Sequence, residues 1–222
     1  MQNYNIGCVV MAAGNAARFG ENKLAAIYEG KPLIRHALEA VPKGLNTVVV
    51  TQYDEVERMA AEFGFASIHN AHPDLGISHT IKLGTQALCD CDAILYLVSD
   101  QPLLKQSSVA RVVDTWMHDP EHIIGAAHNG KRGNPCIFPK KYFEELMQLR
   151  EDHGGNTVIR AHPDALRTVE IEKAELTDVD TPKALHDLKI QEAADSKNYQ
   201  ICTFFGSSCT RDGKPVPYGE IR

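Results

Sequence analysis

The sequence lacks the patterns that would mark a secreted, zinc-organised or membrane-spanning protein. Its six cysteines (Cys8, Cys89, Cys91, Cys136, Cys202 and Cys209) form no C-x-x-C pair and no zinc spacing, so neither a disulfide scaffold nor a structural zinc is expected. Ten histidines include no H-E-x-x-H or comparable ligand set. No apolar run approaches ~18 residues, and the start shows no signal-peptide charge pattern. No membrane partner is therefore expected. Long basic stripes are also missing. With a formal charge of −6, the chain offers no surface to neutralise a nucleic-acid backbone. The expectation is a cytoplasmic, reduced protein, with Cys8 and Cys136 buried in apolar, strand-like surroundings.

What remains is an ordinary globular composition, 43% hydrophobic and 23% charged, in 222 residues. That length suits one large domain with a sizeable core. The most informative stretch lies near the start. The apolar run Cys8-Val9-Val10-Met11 leads into Ala12-Ala13-Gly14-Asn15, then a small-residue loop, then Arg18 and Lys23. Side chains this small cannot build a core, so the backbone itself is the working surface. Exposed N–H groups in such a loop cradle anions, and a following helix adds its positive end. Arg18 and Lys23 supply mobile positive charge for a polyanion. The stretch reads as a nucleotide triphosphate site. Two familiar loops are excluded: Gly14 and Gly20 are one residue too far apart for a P-loop, with Glu21 where its lysine belongs, and Ala16 replaces the second glycine of G-x-G-x-x-G. An ordinary strand-to-helix turn carrying solvated charges fits the same residues.

Along the chain, strand-like runs at 6–11, 47–51, 66–70, 92–100, 123–128, 136–138 and 167–171 alternate with helical patterns at 31–41, 54–63, 80–88, 107–117, 140–149, 157–161 and 182–190. This alternation predicts an α/β fold with a doubly wound, mostly parallel, Rossmann-like sheet. Asn129-Gly130 predicts a tight hairpin, hence an antiparallel insertion at the sheet edge. The domain is expected to span 1–190. Residues 191–222 form a C-terminal extension, with a linker-like start and a strand-like run at 199–205, whose role the sequence leaves open.

In doubly wound sheets, ligands bind beyond the carboxyl ends of the strands, so the Gly14 loop and Asp100 are expected to face one crevice. Mg²⁺ favours one or two carboxylates together with phosphate oxygens. Asp100, and Asp180 in a second acid-rich turn, could supply them, although each also suits a helix cap. No nucleophile dyad is evident.

Five segments, in order, resemble the MobA/MocA-like nucleotidyltransferases, the group of molybdenum cofactor cytidylyl- and guanylyltransferases. Gly14, Arg18, Phe19, Gly20 and Lys23 match the signature L-A-A-G-x-S-x-R-[MF]-G-x-x-K in register, with Ala16 in place of Ser. Asp100-Gln101-Pro102 resembles the D-Q-P segment, and Asp178-Val179-Asp180-Thr181-Pro182 the D-I-D-T-P segment. Arg132-Gly133-Asn134-Pro135 resembles R-G-H-P with Asn134 replacing His, and Asp152-His153-Gly154-Gly155 resembles the G-D-x-G-[AG] loop. The resemblance covers residues 6 to about 188. It implies a nucleotide-diphospho-sugar transferase-like fold and transfer from CTP or another NTP. In that reading Arg18 faces the outgoing β,γ-phosphates, Lys23 faces the α-phosphate, and Asp100 and Asp180 hold Mg²⁺. Ala12, Ala13, Gly14, Asn15, Gly76, Ser78 and Gln101 would line the nucleotide, with Gln101 favouring CTP. Asn134, Gly154 and Gly155 would face a phosphate-bearing acceptor, molybdopterin or its molybdenum form. Two other readings stay open: a sugar or alcohol phosphate as acceptor, or a non-catalytic nucleotide- or cofactor-binding chaperone serving a molybdoenzyme.

Overall fold

A computed structural model describes residues 4–14, 19 and 22–190. The run after Asn5 becomes β1 (Ile6–Ala12), and it is apolar because both of its faces are covered. Cys8, Val10 and Ala12 join a core with α1 (Leu33–Glu39), α2 (Asp54–Glu62) and α4 (Gln106–His118). Val9 joins the opposite core, with α3 (Ile77–Ala87), α5 (Phe143–Met147) and α6 (Asn156–Ala161). The period-two alternation of a buried strand thus divides the protein into two helical layers around one sheet.

The sheet has seven strands. Beside β1 stand β4 (Asn46–Thr51) and β6 (Ala93–Val98), with β5 (Ala66–His69) outside β4, all parallel. Beyond β6 come β8 (Lys131–Pro139), β7 (Ile123–His128) and β9 (Leu166–Glu170). β8 runs antiparallel to both β6 and β7, whereas β9 is parallel to β7. The antiparallel part occupies one end of the sheet, but β8 itself is interior. The reason is the hairpin: Asn129 and Gly130 both take positive φ, and the returning strand folds back into the space between β6 and β7. A separate two-stranded ribbon pairs β2 (Ile27–Tyr28) with β3 (Lys31–Pro32). That ribbon removes Lys31 and Pro32 from the expected first helix.

Two boundaries differ from the periodicity in ways that matter below. The third helix begins at Ile77, ahead of the expected Thr80, because Gly76 at φ +80° turns the chain directly into it. The strand before Asp100 stops at Val98, which leaves Ser99 and Asp100 beyond the sheet's carboxyl edge. Cys8, Cys91 and Cys136 are buried free thiols and Cys89 is exposed. Among the described residues no helix is long and apolar enough to cross a membrane. The strand-like run at 199–205 lies outside the described residues.

Residues Met1–Val179 form one unit and Asp180–Arg222 a second, described from 180 to 190. Within the second, 182–190 is helical and the Thr181 hydroxyl caps it, accepting from Ala184 N–H at 3.1 Å.

The seat of α3 on β1 is exceptionally close. A Cβ at Gly84 would stand 2.6 Å from both methyl carbons of Val9. Gly84→Val should therefore lower the unfolding free energy by about 2–3 kcal/mol through overpacking. Urea denaturation checks this, and an unchanged midpoint would contradict so close a contact.

Candidate active site

The carboxyl end of β1 is fixed by side chains from its neighbours. Ser99, just past β6, donates its hydroxyl to Met11 O at 2.8 Å. Thr51, ending β4, donates to Ala12 O at 3.0 Å. The next two residues continue the series, with Gln52 Nε2 donating to Ala13 O at 3.0 Å and Tyr53 Oη to Gly14 O at 3.4 Å. Four consecutive carbonyls are thereby held, although only the first two belong to the sheet. Burial pushes the Tyr53 phenol above its ordinary range while the Lys23 charge pulls the other way, so it remains a neutral donor at physiological pH.

This anchored segment lines a cleft of about 480 Å³ beyond the strand ends. Ala13, Gly14 and Lys23 stand against Asp100, and Pro73, Asp74, Gly76 and Asp152 are also on the wall. Lys23 Nζ donates to Asp100 Oδ2 at 2.7 Å, with both side chains only 15% and 20% exposed. Asn22 positions this lysine, its side chain accepting from Leu24 N–H at 3.1 Å at the start of the short turn Lys23–Ala25. The described charges of the cleft are three carboxylates (Asp74, Asp100 and Asp152) and the one ammonium. Left so, the cleft would repel a triphosphate. Asp74, Asp100 and Asp152 do not converge as one ligand set, but a Mg²⁺ ion needs only one or two carboxylates beside phosphate oxygens, and Asp100 can supply one.

A second cavity, about 550 Å³, adjoins the first, and Met11, Ile77 and Val98 line both. Its floor is apolar, including Tyr96, Phe138 and Leu166. Its cations are Lys131, Arg132 and Lys173, with His128 nearby on the wall, against the single carboxylate of Asp178. Beside the first cleft two distant segments pack closely. A Cβ on Gly76 would lie 2.5 Å from the Glu151 carbonyl, and Ser78 N–H donates to Glu151 O at 3.1 Å. Burial pushes the Cys136 thiol on this wall up to about 12, so it stays protonated and is no nucleophile near neutrality.

Comparison with known proteins fits this geometry. Residues 8–166, more than half of the chain, match the model of the MobA-like NTP transferase domain. The chain belongs to the MobA-like NTP transferase family. One relative is the 8-amino-3,8-dideoxy-manno-octulosonate cytidylyltransferase of Shewanella amazonensis, 32% identical over 52% of this chain and 49% of that protein. Another is the molybdenum cofactor guanylyltransferase of Shewanella halifaxensis, 27% identical over 60% of this chain and 66% of that one. The chain spans only about half the length of the first of these relatives. Among solved structures, a Mycobacterium tuberculosis H37Rv protein crystallised as a manganese complex superposes with a TM-score of 0.69 at 18% identity, covering 83% of this chain and 97% of that one. At that identity the likeness shows the fold alone.

Within this MobA-like domain, the residues named from sequence fall into separate groups. Ala13, Gly14, Lys23, Gly76 and Asp100 line the first cleft, and Ala12 is buried directly behind it. Asn134, Gly154 and Gly155 line the second cavity. Ser78 is buried against the Glu151 carbonyl and is not on the wall of the first cleft. Gln101 lines the second cavity, not the first. Asn15 and Arg18 lie outside the described residues, and Asp180 belongs to the second unit. Sequence reasoning missed the carbonyl clamps Thr51, Gln52, Tyr53 and Ser99. The Gln-Tyr pair directly after a β-branched strand was their one local sign. Asp74 and Asp152 were also missed as cleft carboxylates.

The thiols give a direct check on the cavity wall. At pH 8 a group near 12 is ionised to only about one part in ten thousand. In the folded protein, iodoacetamide at pH 8 should label exposed Cys89 while Cys136 stays unmodified, as read by peptide mass spectrometry. Comparable labelling of the two would place Cys136 in open solvent.

Proposed function

We propose that this chain is a Mg²⁺-dependent nucleotidyltransferase that moves CMP from CTP to the phosphate of molybdopterin and releases pyrophosphate. The observation that carries the reading is the pair of adjoining cavities. One is walled by the anchored glycine loop and the Lys23–Asp100 pair, the other is apolar with a cationic rim, and they meet at Met11, Ile77 and Val98. A nucleotide in the first and a phosphate monoester in the second would bring their reacting groups to that seam. The cytidylyltransferase among the relatives supports CTP. The molybdenum cofactor guanylyltransferase supports the acceptor.

In the proposed reaction an acceptor phosphate oxygen attacks the α-phosphorus, the bond to the bridging oxygen of the β-phosphate breaks, and pyrophosphate leaves. The acceptor oxygen is already ionised near neutral pH, so no strong general base is needed. The chain's contribution is position and charge. Glycine-loop amides from Ala12 to Asn15 receive the phosphates, Lys23 follows the α-phosphate, and Arg18 neutralises the leaving pyrophosphate. Asp100 and Asp180 are the proposed Mg²⁺ ligands; when bound, the ion offsets phosphate charge and orients the triphosphate. The domain so proposed spans 1–190, with 191–222 as an extension.

Pyrophosphate release from each of the four NTPs, with and without molybdopterin, tests the reading. CTP with molybdopterin should give the fastest release, and release only with a sugar phosphate would replace the acceptor. Asp100→Ala should cut kcat by about 10³-fold while the thermal midpoint holds. Full turnover in that variant would remove its proposed role. Lys23→Ala should raise the CTP KM about tenfold, since an ammonium–phosphate contact contributes about 1.5 kcal/mol. An unchanged KM would separate Lys23 from the nucleotide.

A further inference from the structure

Gln101 is 97% buried, at 3% exposure, yet its side chain is only half satisfied. Its Nε2 donates to Asp178 Oδ1 at 2.9 Å. Because an ionised carboxylate only accepts, this bond fixes which end of the amide is nitrogen and leaves the oxygen facing elsewhere. That Oε1 is buried with no hydrogen-bond partner among the described residues. A buried carbonyl left so costs roughly 1–3 kcal/mol, which a native fold seldom tolerates without use. Arg132 on β8 presents the complementary case, since its Nη1 is buried without an acceptor. Both side chains line the second cavity, and neither lines the first cleft. The cavity also carries apolar rings, Tyr96 and Phe138, and a surplus of positive charge.

We propose that Gln101 and Arg132 select the acceptor, not the nucleotide base. The acceptor would carry an N–H or O–H that donates to Gln101 Oε1, and a carbonyl or anionic oxygen that accepts from Arg132 Nη1. The apolar rings on the same cavity wall suit a cyclic acceptor that bears both groups on its edge. Asp178 is the positioning residue, holding the Gln101 amide so that its oxygen is the free end. This inference rests on the nucleotidyltransferase reading above and assigns the recognition chemistry of its acceptor side.

Isothermal titration of the full chain, with Mg²⁺–CTP in one arm and anaerobically prepared molybdopterin in the other, tests it. Gln101→Met keeps the bulk but removes both polar atoms. It should weaken molybdopterin binding at least tenfold and leave CTP affinity within twofold. Arg132→Met, at a half-buried strand position, should do the same and guards against a folding defect in the first variant. Unchanged molybdopterin affinity in both folded variants would overturn the proposal. So would a loss confined to CTP, or a wild-type chain that does not bind molybdopterin. A wild-type chain that binds molybdopterin but no nucleotide would instead sink the transferase reading, while the comparison of variants would still decide this one.

Discussion

The site depends on how a chain can leave the middle of a parallel sheet without losing its backbone hydrogen bonds. Where β1 ends, its carbonyls lose their ladder partners while still close to the core, and an unpaired buried carbonyl is costly. Side chains from the two flanking strands solve this: Ser99 and Thr51 take Met11 and Ala12, and Gln52 and Tyr53 extend the support to Ala13 and Gly14. The backbone of Ala13 and Gly14 is therefore held in place as the chain leaves the sheet. Backbone held in this way can meet a ligand without first having to be ordered by it.

The same geometry explains why the acids and cations meet. β6 stops at Val98, so that Asp100 emerges beyond the sheet's carboxyl edge within reach of Lys23. The Lys23–Asp100 pair then forms across a long gap in sequence, in a place largely shielded from water. A pair so placed can be exchanged rather than simply broken. In the proposed reaction an incoming phosphate would take the ammonium and a cation the carboxylate, so that neither charge is stranded. Among the described residues the three cleft carboxylates outnumber the one ammonium, so their charges alone oppose a polyphosphate.

Much of the fold could be read from periodicity, since fully buried strands and amphipathic helices leave plain patterns. β1, β4, β6 and β7 show it, all with apolar cores covered on both sides. What escaped was set by tertiary context. The interior place of β8 depends on strand pairing, which no local pattern encodes, and the early start of α3 depends on Gly76 reaching positive φ against Glu151. The same holds for the site. Lys23 and Asp100 were legible because motif spacing marks them. Gln52 and Tyr53 look like any turn residues until their carbonyl partners are known. Gln101 shows the limit most sharply: it adjoins Asp100 in the chain, yet its side chain belongs to the other cavity, held there by Asp178 from far along the sequence.

The interior antiparallel strand divides the labour of the sheet. The parallel strands β5, β4, β1 and β6 carry the cleft of the glycine loop, while β8 with its hairpin partner β7 builds much of the cavity next door. Those two portions touch through a single ladder, between β6 and β8. A lineage could therefore remodel the hairpin, and with it the second cavity, while the parallel half of the sheet and the first cleft are inherited intact.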